Sequence, residues 1–361
     1  MLLLLSLLVA VTTAAPPNFS CRDQNNEEVD WFIFYKIGRL KNLANQNPHL
    51  VNGTAFLYMD ANNKEWSFSS VGAESANQAI GYTLTQYYKN IDDPDVTSVF
   101  WNDQLPGNKT WSRFHGHSKG LLAFGESQGF WITHSIPRFP FSDRYEYPSN
   151  GHAYGQMGIC ISLAITALPD LANQLYYIRP YIYASSVPTA VAADVPLLAE
   201  VLAGQYKTTS PFESLVSLKS RGGQQFYSFA KAGGFGKDLY FDLVAPTLKV
   251  SLKTETWQHG SSSNPNLNSW CKLPNKYYVF NVKEISLPFD IEFSNYHDHS
   301  KFAVSTDVNG GKNDAWVCIG DINRQEHQLV RGGSTMCIND AKVYEAFFAA
   351  VADYYECENG E

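Results

Sequence analysis

Apolar residues follow two periods along this chain. Asp30-Trp-Phe-Ile-Phe-Tyr-Lys36 is an apolar run bounded by charge, the pattern of a strand buried on both faces. Residues 56–60 and 97–102 predict two more strands. Residues 120–124 and 129–134 predict a hairpin closing through 125–128. Between 75 and 90 the period lengthens: Ala79, Ile80, Leu84, Tyr87 and Tyr88 take helical spacing, with Ser75 as cap. Residues 138–151, rich in Pro, Ser, Tyr and Asn, read as a loop, and 157–168 as a helix. Pro and small residues over 179–198 predict a boundary between halves 18–185 and 186–361. In the second half the pattern predicts a helix over 196–203 and an amphipathic segment over 238–248. Strands are expected at 225–231, 249–257, 277–285, 302–305 and 315–319, and a closing helix at 341–355. Strands mixed with helices in both halves give an α/β or α+β fold.

Against this background one polar pattern occurs twice. Phe114-His115-Gly116-His117-Ser118-Lys119 and Tyr296-His297-Asp298-His299-Ser300-Lys301 both read aromatic-His-x-His-Ser-Lys. They lie about half a chain apart, as expected of a duplicated unit with one motif per half. In a strand, each copy would place two His and one Lys on one face. Two such faces brought together offer imidazoles and ammonium groups to a phosphate ester.

Composition sets the compartment. Residues 2–11 form an apolar run, followed by Thr-Thr-Ala-Ala and then Pro16-Pro17, which reads as a signal peptide over 1–17. Six Cys follow it: Cys21, Cys160, Cys271, Cys318, Cys337 and Cys357. An even number in a secretory chain favours three disulfides, and spacing alone leaves fifteen pairings open. Asn18, Asn52 and Asn108 each begin a glycosylation sequon. The net charge of −8 counts nine His as neutral. Protonating them brings the chain near neutrality, which suits a polyanionic substrate only at acid pH.

Cleaving a phosphodiester needs a nucleophile, a proton for the leaving oxygen and positive charge around the phosphoryl oxygens. One neutral imidazole can attack phosphorus, a protonated one can donate, and Lys supplies point charge. The rival for His-x-His is a metal pair. A Lys four residues after the first His on the same face makes a cation an unfavourable neighbour. We therefore expect no metal and no cofactor.

His117-Ser-Lys119 and His299-Ser-Lys301 resemble the His-x-Lys motifs of the phospholipase D superfamily. Gly320-Asp-Ile-Asn323 resembles that superfamily's Gly-Ser-x-Asn element, with Asp for Ser. The closer resemblance is to the deoxyribonuclease II family. It rests on residues 29–36, Trp101-Asn-Asp-Gln104, Gly116-His-Ser-Lys-Gly120, residues 130–137, His297-Asp-His-Ser-Lys301, Gly320-Asp-Ile-Asn-Arg324 and Arg331-Gly-Gly333. The resemblance implies two phospholipase-D-like halves forming an intramolecular pseudo-dimer with one site at their junction. It implies metal-independent cleavage of double-stranded DNA at acid pH to 3′-phosphate ends, in the lysosome or after secretion, by a monomer or a homodimer. It implies His117 or His299 as nucleophile and the other as acid, Lys119 and Lys301 as phosphate clamps, and Asn323, His115, His134 and His297 as supporting contacts. Glu126 in the first half, and Asp307 or Asp314 in the second, stand near the superfamily's carboxylate position. The implied pairings are Cys21–Cys160, Cys271–Cys357 and Cys318–Cys337. The rivals are a lipid phosphodiesterase of the same superfamily and a non-catalytic DNA-binding or toxin-like homologue. The latter would require loss of a motif residue, and all are present.

Overall fold

The computed structural model describes residues 17–41, 47–108, 110–271, 276–306 and 314–357. The expected signal peptide therefore lies outside the described residues but for Pro17, and Asp307 lies outside them too. A short N-terminal hairpin, β1 (Cys21–Arg22) and β2 (Glu28–Val29), precedes two large sheets.

The first sheet contains β3 (Trp31–Lys36), β4 (Phe56–Asp60), β5 (Ser67–Phe68), β6 (Thr97–Asn102), β7 (Lys119–Phe124), β8 (Gln128–His134), β9 (Gln156–Ala164) and β10 (Ile182–Ser186). Its strand order is β10-β6-β7-β8-β9-β3-β4-β5. The second contains β11 (Glu213–Lys219), β12 (Gln225–Lys231), β13 (Leu252–Glu255), β14 (Val279–Leu287), β15 (Ile291–Ser294), β16 (Phe302–Ser305), β17 (Trp316–Gly320) and β18 (Gly333–Asn339). Its order is β11-β12-β18-β17-β16-β13-β14-β15, with β19 (Val351–Tyr355) on β14. The path β3-β9-β8-β7-β6 matches β12-β18-β17-β16-β13, with the strands entering in the same chain order. The duplication suggested by the two motifs thus extends to five strands, and β7 and β16 follow the motifs at equivalent places.

The sheets pack face to face. Trp31, Ile33, Tyr35, Trp101 and Leu122 from the first meet Phe226, Phe302, Val304, Val317 and Ile319 from the second in one core. Phe32, Phe34, Phe100 and Leu121 point the other way, under the helix Ala79–Tyr88. The outer face of the second sheet is covered by residues around Leu239, Tyr240 and Val244. Both faces of the central strands are therefore buried, which explains runs such as Trp31–Lys36 with no polar alternation.

Three expectations fail for related reasons. Residues 156–164 form β9, not a helix, and the helix Leu168–Ile178 begins beyond it. A strand buried on both faces has the same unbroken apolar run as a buried helix. Gly158 also has to be Gly, since a Cβ there would lie 2.6 Å from the Phe34 ring. The closing helix stops at Ala350, and Val351–Tyr355 pairs with β14. Its β-branched and aromatic residues suit an edge strand better than another helical turn. Finally, the helix near residue 79 is capped by Gln78, whose side chain accepts from Ile80 N–H at 2.7 Å, not by Ser75. All three pairings implied by the resemblance form: Cys21–Cys160, Cys271–Cys357 and Cys318–Cys337. Asn18, Asn52 and Asn108 are all exposed. No helix among the described residues is long and apolar enough to cross a membrane.

Candidate active site

The motifs are not strands. β7 begins only at Lys119, and Asn295–His297 forms a short 3-10 turn before β16. The reason is a crossing of the two halves. The N–H of His117 donates to Gly332 O at 2.8 Å, and that of His299 donates to Gly155 O at 3.0 Å. Gly116 lies so close to the backbone that a Cβ would sit 2.1 Å from Ile178 O. Gly155 is as tight, with a Cβ placed 2.1 Å from Asp298 Oδ1. Each motif is strapped by a loop of the opposite half. Consequently the two His of a motif do not share a face. His115 stacks on Tyr181 with its Nδ1 2.6 Å from Ser112 Oγ, and His297 is exposed.

The central imidazoles do converge. His117 Nδ1 lies 2.8 Å from Asp103 Oδ2, and Lys119 Nζ donates to Asp103 Oδ1 at 2.6 Å. Arg331, from the second half, donates to the same Asp103 Oδ2 at 3.1 Å. Asn323 Nδ2, also from the second half, sits 3.3 Å from His117 Nε2, and its Oδ1 is buried without a partner. Ser118 is held in turn by Asp321. So Gly320-Asp-Ile-Asn323 serves the motif of the first half. The converse also holds: His299 Nδ1 lies 3.1 Å from Gln156 Oε1, which accepts from Ser135 Oγ at 2.6 Å. Lys301 Nζ lies 3.1 Å from His299 Nδ1.

Electrostatics push both imidazoles down. Burial would push the Asp103 carboxyl up, but Lys119, His117 and Arg331 outweigh it and hold Asp103 well below the usual carboxylate range. Burial, with Lys119 adding to it, pushes His117 down to about 3, against the pull of Asp103. Burial, then Lys301 and Lys119, holds His299 well below its ordinary value. Lys301 is lowered by burial and by Lys119. Both imidazoles are therefore neutral until an anion enters. Two Lys and Arg331 gather positive charge beside them.

The carboxylates expected near residues 126 and 314 are not the partners. Glu126 is exposed in the β7–β8 turn. Asp314 meets Ser305 Oγ through its carbonyl. The partner of His117 is Asp103, just past β6, and the corresponding place after β13 is held by aromatic Trp257, 4.8 Å from the His299 ring. Trp101-Asn-Asp-Gln104 contained the signal, a carboxylate directly after a buried apolar strand. His134 is fully buried, with Nδ1 accepting from Ile136 N–H at 3.1 Å and Nε2 without a partner. It lies under Lys119 and not in the open site. Under the second motif, Asp298 accepts from Tyr35 OH and Ser300, and Glu255 is fully buried with neither carboxylate oxygen bonded. Burial raises both carboxyls. Among the described residues, no three His, Cys, Asp or Glu side chains form a metal-binding group.

Paired imidazoles and lysines at the seam of a duplicated α+β fold are the equipment of a phosphodiester hydrolase. The comparisons narrow this to one family. The model for deoxyribonuclease II matches residues 20–357. Cell death-related nuclease 6 of Caenorhabditis elegans is 43% identical, over 99% of this chain and 93% of its own length. Plancitoxin-1 of Acanthaster planci is 38% identical over 98% and 97%, and Deoxyribonuclease-2 of Caenorhabditis elegans 38% over 99% and 98%. The chain belongs to the deoxyribonuclease II family and is a deoxyribonuclease.

Proposed function

We propose that this enzyme cleaves DNA at acid pH without a metal ion, through a phosphohistidine at His117, leaving 3′-phosphate and 5′-hydroxyl ends. The observation that carries the reading is the reciprocal support of the two imidazoles. Asn323 of one half meets His117, and Gln156 of the other meets His299. The Asp103 carboxylate accepts the Nδ1 proton of His117, leaving the Nε2 lone pair to attack phosphorus. The same carboxylate stabilises the positive charge that the imidazole gains on phosphorylation. As the P–O5′ bond breaks, His299 gives its Nε2 proton to the leaving oxygen, while Gln156 Oε1 accepts the Nδ1–H. Water then attacks phosphorus, His299 takes its proton, and the P–N bond breaks. Lys119, Lys301 and Arg331 hold the phosphoryl oxygens, the work a divalent ion does in other nucleases. The bound phosphodiester offsets the cations that hold His299 down, and acid pH then supplies the donor with its proton.

The resemblance to the phospholipase D superfamily, with halves 18–185 and 186–361, agrees with the repeated five-strand path. Three disulfides and exposed sequons support a lysosomal or secreted location. The test is plasmid cleavage at pH 5 and pH 7.5 with and without EDTA, followed by end analysis. Cleavage at pH 5 should survive EDTA. The products should accept a 5′-phosphate from a kinase directly, and should prime a polymerase only after phosphatase treatment. Loss of activity on chelation, or 3′-hydroxyl ends, would reject the mechanism.

A further inference from the structure

The catalytic centre is pseudo-symmetric, but its surroundings are not. On the His299 side the rings are already stacked on one another. His259 lies 3.7 Å from Trp257 and 3.8 Å from Tyr296. On the His117 side a groove of about 350 Å³ leaves the site past Arg331, between Phe114, Tyr177, Arg179, Tyr206 and Lys207. Phe114 is 67% exposed, although it directly precedes a buried motif. The Arg113 guanidinium lies 5.1 Å from this ring, so a cation accompanies the exposed π-face. Of the three cations in the groove, Arg331 pairs with Asp103, while Arg179 and Lys207 take rings as neighbours. The Arg179 guanidinium lies 3.8 Å from the Tyr206 ring, and Lys207 Nζ 5.5 Å from that of Tyr177. Rings under the cations restrict their rotamers and leave the charge unneutralised, which lowers the cost of binding an anion. Glu213 is the acidic neighbour of Tyr177 and is engaged by the Phe212 N–H at 3.0 Å. The groove is continuous with the chemistry: Gly116 N–H donates to Arg179 O at 2.8 Å, and Arg331 lines the groove while touching His117 and Asp103.

We propose that this groove binds the nucleotides of the cleaved DNA strand on one side of the scissile phosphate, with backbone phosphates on Arg179 and Lys207 and a base on the Phe114 ring. The occupant follows from complementarity. A chain of net charge −8 keeps two cations without a carboxylate partner among the described residues, and an exposed ring, beside its phosphodiester site, the pairing of charge and π-face that single nucleic acid strands bind. The inference rests on the chain being a deoxyribonuclease, and not on the details of His117 or His299 chemistry. It predicts that the enzyme grips its substrate on one flank of the cleaved bond more than on the other.

The experiment is steady-state cleavage of plasmid DNA at pH 5 by the full chain carrying Phe114→Ala, Lys207→Gln or both. Arg179 stays intact, because its carbonyl holds Gly116. The double variant should raise KM about tenfold with kcat unchanged, since stacking and phosphate contacts act on binding. Lys207→Gln should flatten the plot of log(kcat/KM) against log salt by roughly 0.7–0.9, and Phe114→Ala should leave that slope alone. A wild-type KM and slope in the double variant would overturn the proposal. So would a fall in kcat at unchanged KM, which would place these residues in the chemistry and not in a binding groove.

Discussion

Asp103 Oδ2 lies 2.8 Å from His117 Nδ1, whereas the Nδ1 of His299 meets the uncharged amide of Gln156 at 3.1 Å. In the proposed mechanism this inequality divides nucleophile from acid. Asp103→Asn should cut kcat by about 10²- to 10⁴-fold with little change in KM, because the amide can no longer stabilise a cationic His117. Gln156→Glu should instead raise the pH at which His299 charges, moving the alkaline limb of the rate profile upward. An unchanged limb would deny His299 the donor role.

The Asp103 variant also has a stability signature. The folded pKa of Asp103 is depressed, so its contribution is present above the unfolded value of about 3.9 and is lost only as pH falls through the lower folded value. The pair therefore holds across the acid working range. Removing the charge leaves Lys119 and Arg331 facing a neutral amide in a buried place, a loss on the order of 3–5 kcal/mol. Chemical denaturation at pH 5 measures it. A loss below about 1 kcal/mol would mean the cations find other partners.

His134 has the same sign in a higher pH window. Burial pushes it down to about 3, so between that value and about 6.5 the unfolded chain binds the extra proton. Stability should fall as pH drops through this window, by up to about 1.4 kcal/mol per unit for this one group. His134→Asn keeps an acceptor for the Ile136 N–H and should flatten the acid slope, whatever its effect at pH 7. If kcat/KM for DNA collapses as well, His134 belongs among the substrate contacts after all.

The disulfides differ in the chain they close. Cys21–Cys160 spans 139 residues, and Cys318–Cys337 spans 19, between directly paired β17 and β18. Loop-closure entropy predicts a loss of about 5 kcal/mol for replacing the first pair by Ala and about 3 kcal/mol for the second. Equilibrium unfolding of the two double variants checks the order.

Much of this was legible in the chain. Repetition exposed His117, Lys119, His299 and Lys301, because two copies of a six-residue polar pattern are hard to explain by packing. Asp103 and Gln156 were hidden for the opposite reason: each occurs once, Asp103 outside the repeated pattern and Gln156 in the other half from the His it meets. The strand assumed for both motifs failed because alternation describes a free strand, while Gly116 and Gly155 let the backbones of the opposite half press against these segments. The 157–168 helix failed because burial on both faces erases the period that separates strand from helix.

The straps at Gly332 and Gly155 have a consequence for biosynthesis. A chain emerging from the ribosome presents His117, Lys119 and Asp103 long before Asn323, Arg331 and His299 exist. The half made first thus holds its side chains without their counterpart, and the paired site assembles only when the last third of the polypeptide folds back onto it.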